Sequence, residues 1–161
     1  MSRLPGDPEG SEDGGGHVDA VARLRGRVAR ALASVADDAE VQSPARESNG
    51  DGSVSFHFGG APCAVHVAQI ADGLEMVSVT CVVAWDVPDD ERLGALLVAA
   101  RERAQFGTLR AVAQGGGDSA DVVLQYAFPG SGLADEPLRT LLLLVLGGAA
   151  EARAVFAALG E

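Results

Sequence analysis

Lysine is absent from this chain, aromatic residues make up only 4% of it, and cysteine occurs just at Cys63 and Cys81. Each scarcity excludes something. Two cysteines cannot staple a small secreted scaffold, which depends on a dense disulfide framework. Neither belongs to a CxxC pair, and a structural metal site needs more ligands than this spacing supplies. With five Phe, one Tyr and one Trp, the core has to be filled by Val, Leu and Ala. The longest apolar run, 141–146, falls far short of the roughly 20 residues that cross a bilayer. The opening stretch MSRLPGDPEG has no apolar segment of the kind a signal peptide carries, so a cytoplasmic location is expected.

Positive charge is scarce as well: 12 basic residues, all Arg, stand against 23 acidic ones, for a net charge of −11. Nucleic acid and anionic membrane surfaces would repel such a chain, so neither is an expected partner. A positive or amphipathic polypeptide suits it better. Arg in place of Lys, with abundant Ala and Gly, is an actinobacterial style of composition that reflects GC-rich coding rather than a functional demand. Catalytic motifs are missing too. Gly115-Gly116-Gly117 lacks the Lys and helix of a phosphate loop, and there is no GxSxG elbow. The acidic residues fall in the tail, loops and helix ends, where solvation explains them. The chain is therefore read as no enzyme, with no catalytic residue, no cofactor and no metal.

What is present is an order of elements. The 161 residues suit one domain, and 47% hydrophobic composition can fill its core. Residues 1–16, rich in Gly, Pro, Ser and acid, are expected to form a disordered tail ahead of a single domain at 17–161. Val18, Val21, Leu24, Val28, Leu32 and Val35 recur at helical spacing and predict a first helix over 17–36, with Arg23, Arg27 and Arg30 on its other side. A polar loop through Pro44, Asn49 and Gly50 follows. Val54, Phe56 and Phe58 then alternate with polar residues as a half-buried strand does.

Gly59-Gly60 supplies a two-residue hairpin turn, and Cys63, Val65 and Val67 return on the same face. At the next turn, a three-residue loop Ala71-Asp72-Gly73 is chosen over a two-residue one. Gly73 is placed in the left-handed conformation with a bulge beside it. That choice pairs Val67 with Val77 and Val65 with Val79, and sets Cys63 against Cys81 as two buried, reduced thiols, whereas a one-residue slip would turn the apolar face outward. The apolar face is expected to continue through Val83 and Trp85.

Pro88 ends this strand, Asp89 is the expected N-cap, and Leu93, Leu96, Leu97 and Ala100 mark a second helix. Residues 108–114 and 121–128 predict a last hairpin. A final helix from about Asp135 carries Leu138, Leu142, Val145, Phe156 and Leu159 on its core stripe. The expected fold is α+β, an antiparallel five-stranded sheet with three helices in the order αβββαββα.

Several stretches resemble the YbjN family and the related class I type III secretion chaperones, pooled as chaperone-like (TY-Chap) domains. They are VSFHFGGAPCAVHV followed by LEMVSVTCVVAWDVP, ERLGALLVAARERAQFGTLRAVA, and VVLQYAFPGSGLADEPLRTLLLLVL. The resemblance covers about 17–160. Ala104-Gln105-Phe106-Gly107 stands where the family often carries an Asn. It implies a small acidic protein, monomer or homodimer, that binds polypeptide segments and performs no covalent chemistry.

Candidate binding residues follow from surplus apolar surface. Ile70, Leu74 and Met76 gather near the Asp72-Gly73 turn on the face opposite the core. Leu143 and Leu144 fall outside the stripe of the last helix, so 141–146 should be covered on more than one side, either by the chain itself or by a partner. His57 and His66 share the outer sheet face but sit roughly 13 Å apart, at about 3.3 Å per residue, too far to share a metal. Two further readings remain open at this point: a structural or regulatory homodimerisation domain, and a small-ligand sensor or enzyme with an unrecognised pocket.

Overall fold

Alternating apolar residues from Val54 to Val83 build the middle of one antiparallel sheet. The structure is a computed structural model that describes residues 14–38, 47–48 and 52–158. In chain order the elements are α1 (Gly14–Asp38), β1 (Glu47–Ser48), β2 (Val54–Phe58), β3 (Ala61–Ala71), β4 (Leu74–Pro88), α2 (Glu91–Arg103), β5 (Thr108–Ala113), β6 (Ser119–Pro129) and α3 (Asp135–Ala157). The strands are ordered β1-β2-β3-β4-β6-β5 and every pair is antiparallel. The fold is α+β in the order αβββαββα. To its five main strands the two-residue β1 adds a short outer edge, inside the stretch the sequence marks as a polar loop.

Register follows the core pattern. Phe58 pairs with Ala61 around Gly59-Gly60, Val67 with Val77, Val65 with Val79 and Cys63 with Cys81. Gly73 is left-handed at φ +70°, as expected. The irregularity beside it falls at Ile70: Gln69 pairs with Glu75 and Ala71 with Leu74, so the loop tightens to Asp72-Gly73 and Ile70 is the extra residue. The parity of every residue before it is unchanged.

All three helices lie on one face. Leu24, Val28, Leu32 and Val35 of α1 are buried, as are Leu93 and Ala100 of α2. α3 is long and apolar enough, by length and composition alone, to cross a membrane. In the fold it lies over β3 and β4, flanked by α1 and α2, with Leu138, Leu142, Val145 and Leu146 buried. At Gly148 the backbone of Ala104 lies within van der Waals reach, 3.4 Å from where a Cβ would stand, so this part of α3 packs closely on the chain that follows α2. Arg27 ties α1 to the start of α3, through a 2.7 Å ion pair with Asp135 and a bond donated to the Leu133 carbonyl. Buried Glu75 anchors the chain leaving β6: its N–H donates to Ser131 Oγ at 2.7 Å, its carbonyl accepts from Gly130 N at 2.8 Å, and the Ser131 hydroxyl donates to its carboxylate.

Several boundaries differ from expectation. Gly14–Gly16 belong to α1 rather than to the tail, while residues 1–13, most of the 39–51 loop and Leu159 lie outside the described residues. Asp90, not Asp89, caps α2: its carboxylate accepts from Arg92 N at 2.8 Å, while Asp89 N donates to the Asp118 carbonyl. Trp85 does not continue the core face. Two register shifts, between Val82 and Ala84 and between Ala84 and Val87, turn it outward, and it is 56% exposed.

Candidate functional site

A sheet covered on one side leaves its other side in solvent. Along β3 and β4 the burial alternates strictly: Val65, Val67, Val77 and Val79 are buried, whereas Ala64, His66, Ala68, Met76, Ser78 and Thr80 are half-exposed. Strand register assembles the outward residues into rows. Ala68 lies opposite Met76, and Met76 opposite Pro129, an apolar row across three strands. Val82 and Val123 form a second apolar pair further along the same face. Small side chains leave two shallow depressions there, of about 350 Å³ beside Ser78, Thr108 and Gln125, and about 320 Å³ beside Ser55, Pro62 and Ala64.

The sequence candidates separate into two places. Leu74 and Met76 are half-buried on this open face, and Ile70, carried by the bulge at its end, is 65% exposed. Leu143 and Leu144 lie on the far side of the molecule, on α3. Flanking by α1 and α2 leaves Leu141 and Leu143 half-buried, and only Leu144, at 43%, is substantially in solvent. The chain itself thus covers most of the 141–146 run, and the sequence argument for a partner there narrows to Leu144.

A third place was not anticipated. β3 and β4 pair as far as Cys63 and Cys81, but β4 continues to Pro88, so among the described residues its last residues have a strand neighbour only in β6. There the bulged backbone, the C-terminal part of α3 and Arg153 enclose an open cleft of about 390 Å³. Asp86 adopts φ +49°, a left-handed conformation uncommon for a residue other than glycine. Asp121, buried on the facing strand, holds it by accepting the Asp86 N–H at 2.9 Å, and also accepts from the Gln114 side-chain amide. Arg153 donates to the Val83 carbonyl at 3.1 Å. The sequence signal was the apolar run Val82-Val83-Ala84, which cannot be accommodated by period-two alternation without a bulge.

Cys63 and Cys81 face each other, buried and free. The Cys81 thiol is pushed far above the ordinary thiol range, first by its hydrogen bond with the Cys63 side chain and then by burial. Such a thiol is a poor nucleophile and metal ligand. His57 is exposed opposite Pro62, and His66 sits opposite Ser78. Among the described residues no three His, Cys, Asp or Glu side chains are grouped to hold a metal ion. Neither a protein-family model nor a curated protein matches the chain.

Proposed function

We infer that the chain is a non-enzymatic, polypeptide-binding module of the chaperone-like, YbjN type, acting in the cytoplasm. The observation carrying this reading is the one-sided sheet, whose open face bears Leu74, Met76, Val82, Val123 and Pro129 in register-defined rows. Extended and helical segments both dock on such surfaces, through apolar anchors set in shallow depressions. The net charge of −11 favours segments that carry positive charge. On this reading the protein performs no covalent chemistry and needs no cofactor.

The test places a photo-crosslinking residue at Met76 and offers a permanently unfolded, fluorescently labelled polypeptide. Crosslinking that is lost when Ile70 and Leu74 are both replaced by Asp supports the reading. A protein that captures nothing at Met76 at high micromolar concentration overturns it. A second reading, a homodimerisation domain, draws on the 43% exposure of Leu144. It predicts a dimer by sedimentation that Leu144→Glu converts to monomer.

A further inference from the structure

β5 ends one side of the sheet and, among the described residues, has β6 as its only strand neighbour. Gln114 N donates to the Ser119 carbonyl, so the hydrogen-bonding groups of Gln114 face β6. Those of Val112, Arg110 and Thr108 do the same, by the two-residue period of an antiparallel pair. Leu109, Ala111 and Ala113 therefore turn their N–H and C=O groups away from the sheet. The Arg101 guanidinium reaches the Leu109 carbonyl at 3.1 Å from that side. Ala111 and Ala113 are exposed, and their two donors and two acceptors stand in extended geometry at an open edge.

Such an edge is a template for another strand, and proteins blunt it with proline, bulges, charge or a covering element. At the opposite edge β1 is laid over β2. β5 has no proline and no register shift, and every residue in it but Leu109 is exposed. It presents Val112 at 44% exposure. Thr108 and Arg110 line the depression on the open face, beside Ser78, Thr80 and Gln125. Extended segments add to edges of this kind through main-chain bonds, while their alternate side chains set the specificity.

Charge selects the occupant. β5 carries Arg110 and no acid, and Arg101 flanks the same edge from the helix side. Among the described residues no carboxylate is paired with Arg110. Asp121, opposite Val112, is buried and already accepts from Asp86 N–H and the Gln114 amide. A second copy would bring no acid to this edge. Antiparallel self-pairing about Ala111 sets Arg110 against Val112, and it adds −11 to −11. We propose that β5 is a strand-addition site for an extended segment of a partner polypeptide, with an Asp or Glu opposite Arg110 and an apolar residue opposite Val112. This rests on the polypeptide-binding reading and extends the open face by one strand. The overall negative charge acts on the whole segment at range, whereas Arg110 acts at contact and fixes the register.

Anisotropy of a fluorescein-labelled peptide, acetyl-Ser-Ile-Thr-Glu-Thr-Ile-Ser-amide, titrated with the full chain, tests the proposal. Laid antiparallel to β5, its first Ile meets Val112 and its Glu meets Arg110. Binding should saturate, and the peptide with Lys for Glu should bind about fivefold more weakly. Arg110→Glu should reverse that preference. N-methylation of the Thr before Glu, whose N–H faces Ala111, should abolish binding. N-methylation of the Glu, whose N–H points away from β5, should not. Ala111→Pro should also abolish binding, and the fold tolerates it because the Ala111 N–H makes no bond to β6. Equal binding by both N-methyl peptides, an unreversed preference in Arg110→Glu, or no saturation at millimolar concentration each overturns the proposal. A dimer that Ala111→Pro dissociates would assign the edge to a second copy and overturn it as well. Failure of the peptide with intact crosslinking at Met76 removes this site alone, whereas the converse removes the sheet-face reading alone.

Discussion

Asp121 accepts the backbone N–H of Asp86 at 2.9 Å, a bond across β4 and β6 at the residue that follows the chain's only Trp. A carboxylate that is 8% exposed stabilises a residue in the left-handed region, and the same carboxylate takes a bond from Gln114. Sequence neighbours alone would not hold Asp86 there.

Asp121→Asn should therefore do more than remove a charge. An amide can accept only through its oxygen, so its NH2 is turned toward either Asp86 N–H or the Gln114 amide, both donors. The expected cost is about 1–3 kcal/mol in denaturant unfolding, with a change in Trp85 emission in the folded state. A variant with wild-type stability and emission would show that the bulge is held by other contacts.

The cysteine pair predicts a pH dependence. A thiol whose folded pKa lies above its unfolded value contributes stability in full below the unfolded pKa, about 8.5. That contribution is lost as pH rises, because only the unfolded chain ionises there. Stability should fall above about pH 8.5 with a limiting slope of roughly 1.4 kcal/mol per pH unit from Cys81. Cys81→Ala should flatten that slope, and a thiol reagent should modify Cys81 only as fast as the protein opens.

Gly107→Ala tests a backbone approach. Gly107 has φ +102°, and an added Cβ would stand 2.9 Å from Leu124 Cδ2 and 3.1 Å from the Gln125 carbonyl. Conformation and sterics act in the same direction, so a loss of more than about 1 kcal/mol is expected. Thermal unfolding checks it, and an unchanged midpoint would contradict the geometry.

Leu142 and Leu144, two positions apart on α3, should respond oppositely. Leu142 is fully buried, and Leu142→Ala should cost about 2–5 kcal/mol. Leu144→Ala should stay within about 0.5 kcal/mol in the monomer. Equal losses at both would mean that Leu144 is buried in solution, against another copy of the chain.

How far the residues disclose this arrangement depends on how local the determining contact is. The β2–β3–β4 register was legible because turns are short and a slip would expose Val65 and Val79. The same logic placed Cys63 against Cys81. Trp85 was not legible, since its direction depends on two bulges that alternation cannot encode, and the residue after it is bonded to Asp121, 35 positions away. The all-apolar run of α3 announced extra cover, but not that α1 and α2 would supply most of it. Leu74 and Met76 fall on the outer face that alternation assigns them, while Ile70 stands on the bulge. Pro129, which extends the row at Met76, belongs to a distant strand and entered only with the register.

The ion pair between Arg27 and Asp135 joins residues 108 positions apart. During synthesis α1 leaves the ribosome first, yet the helix that covers its flank follows after that whole interval. At about 5–20 residues per second, Leu24, Val28 and Leu32 wait roughly 5–20 s for α3. Until then β3 and β4 are the earlier-made elements on which α1 can pack, so its cover is completed only when the last helix arrives.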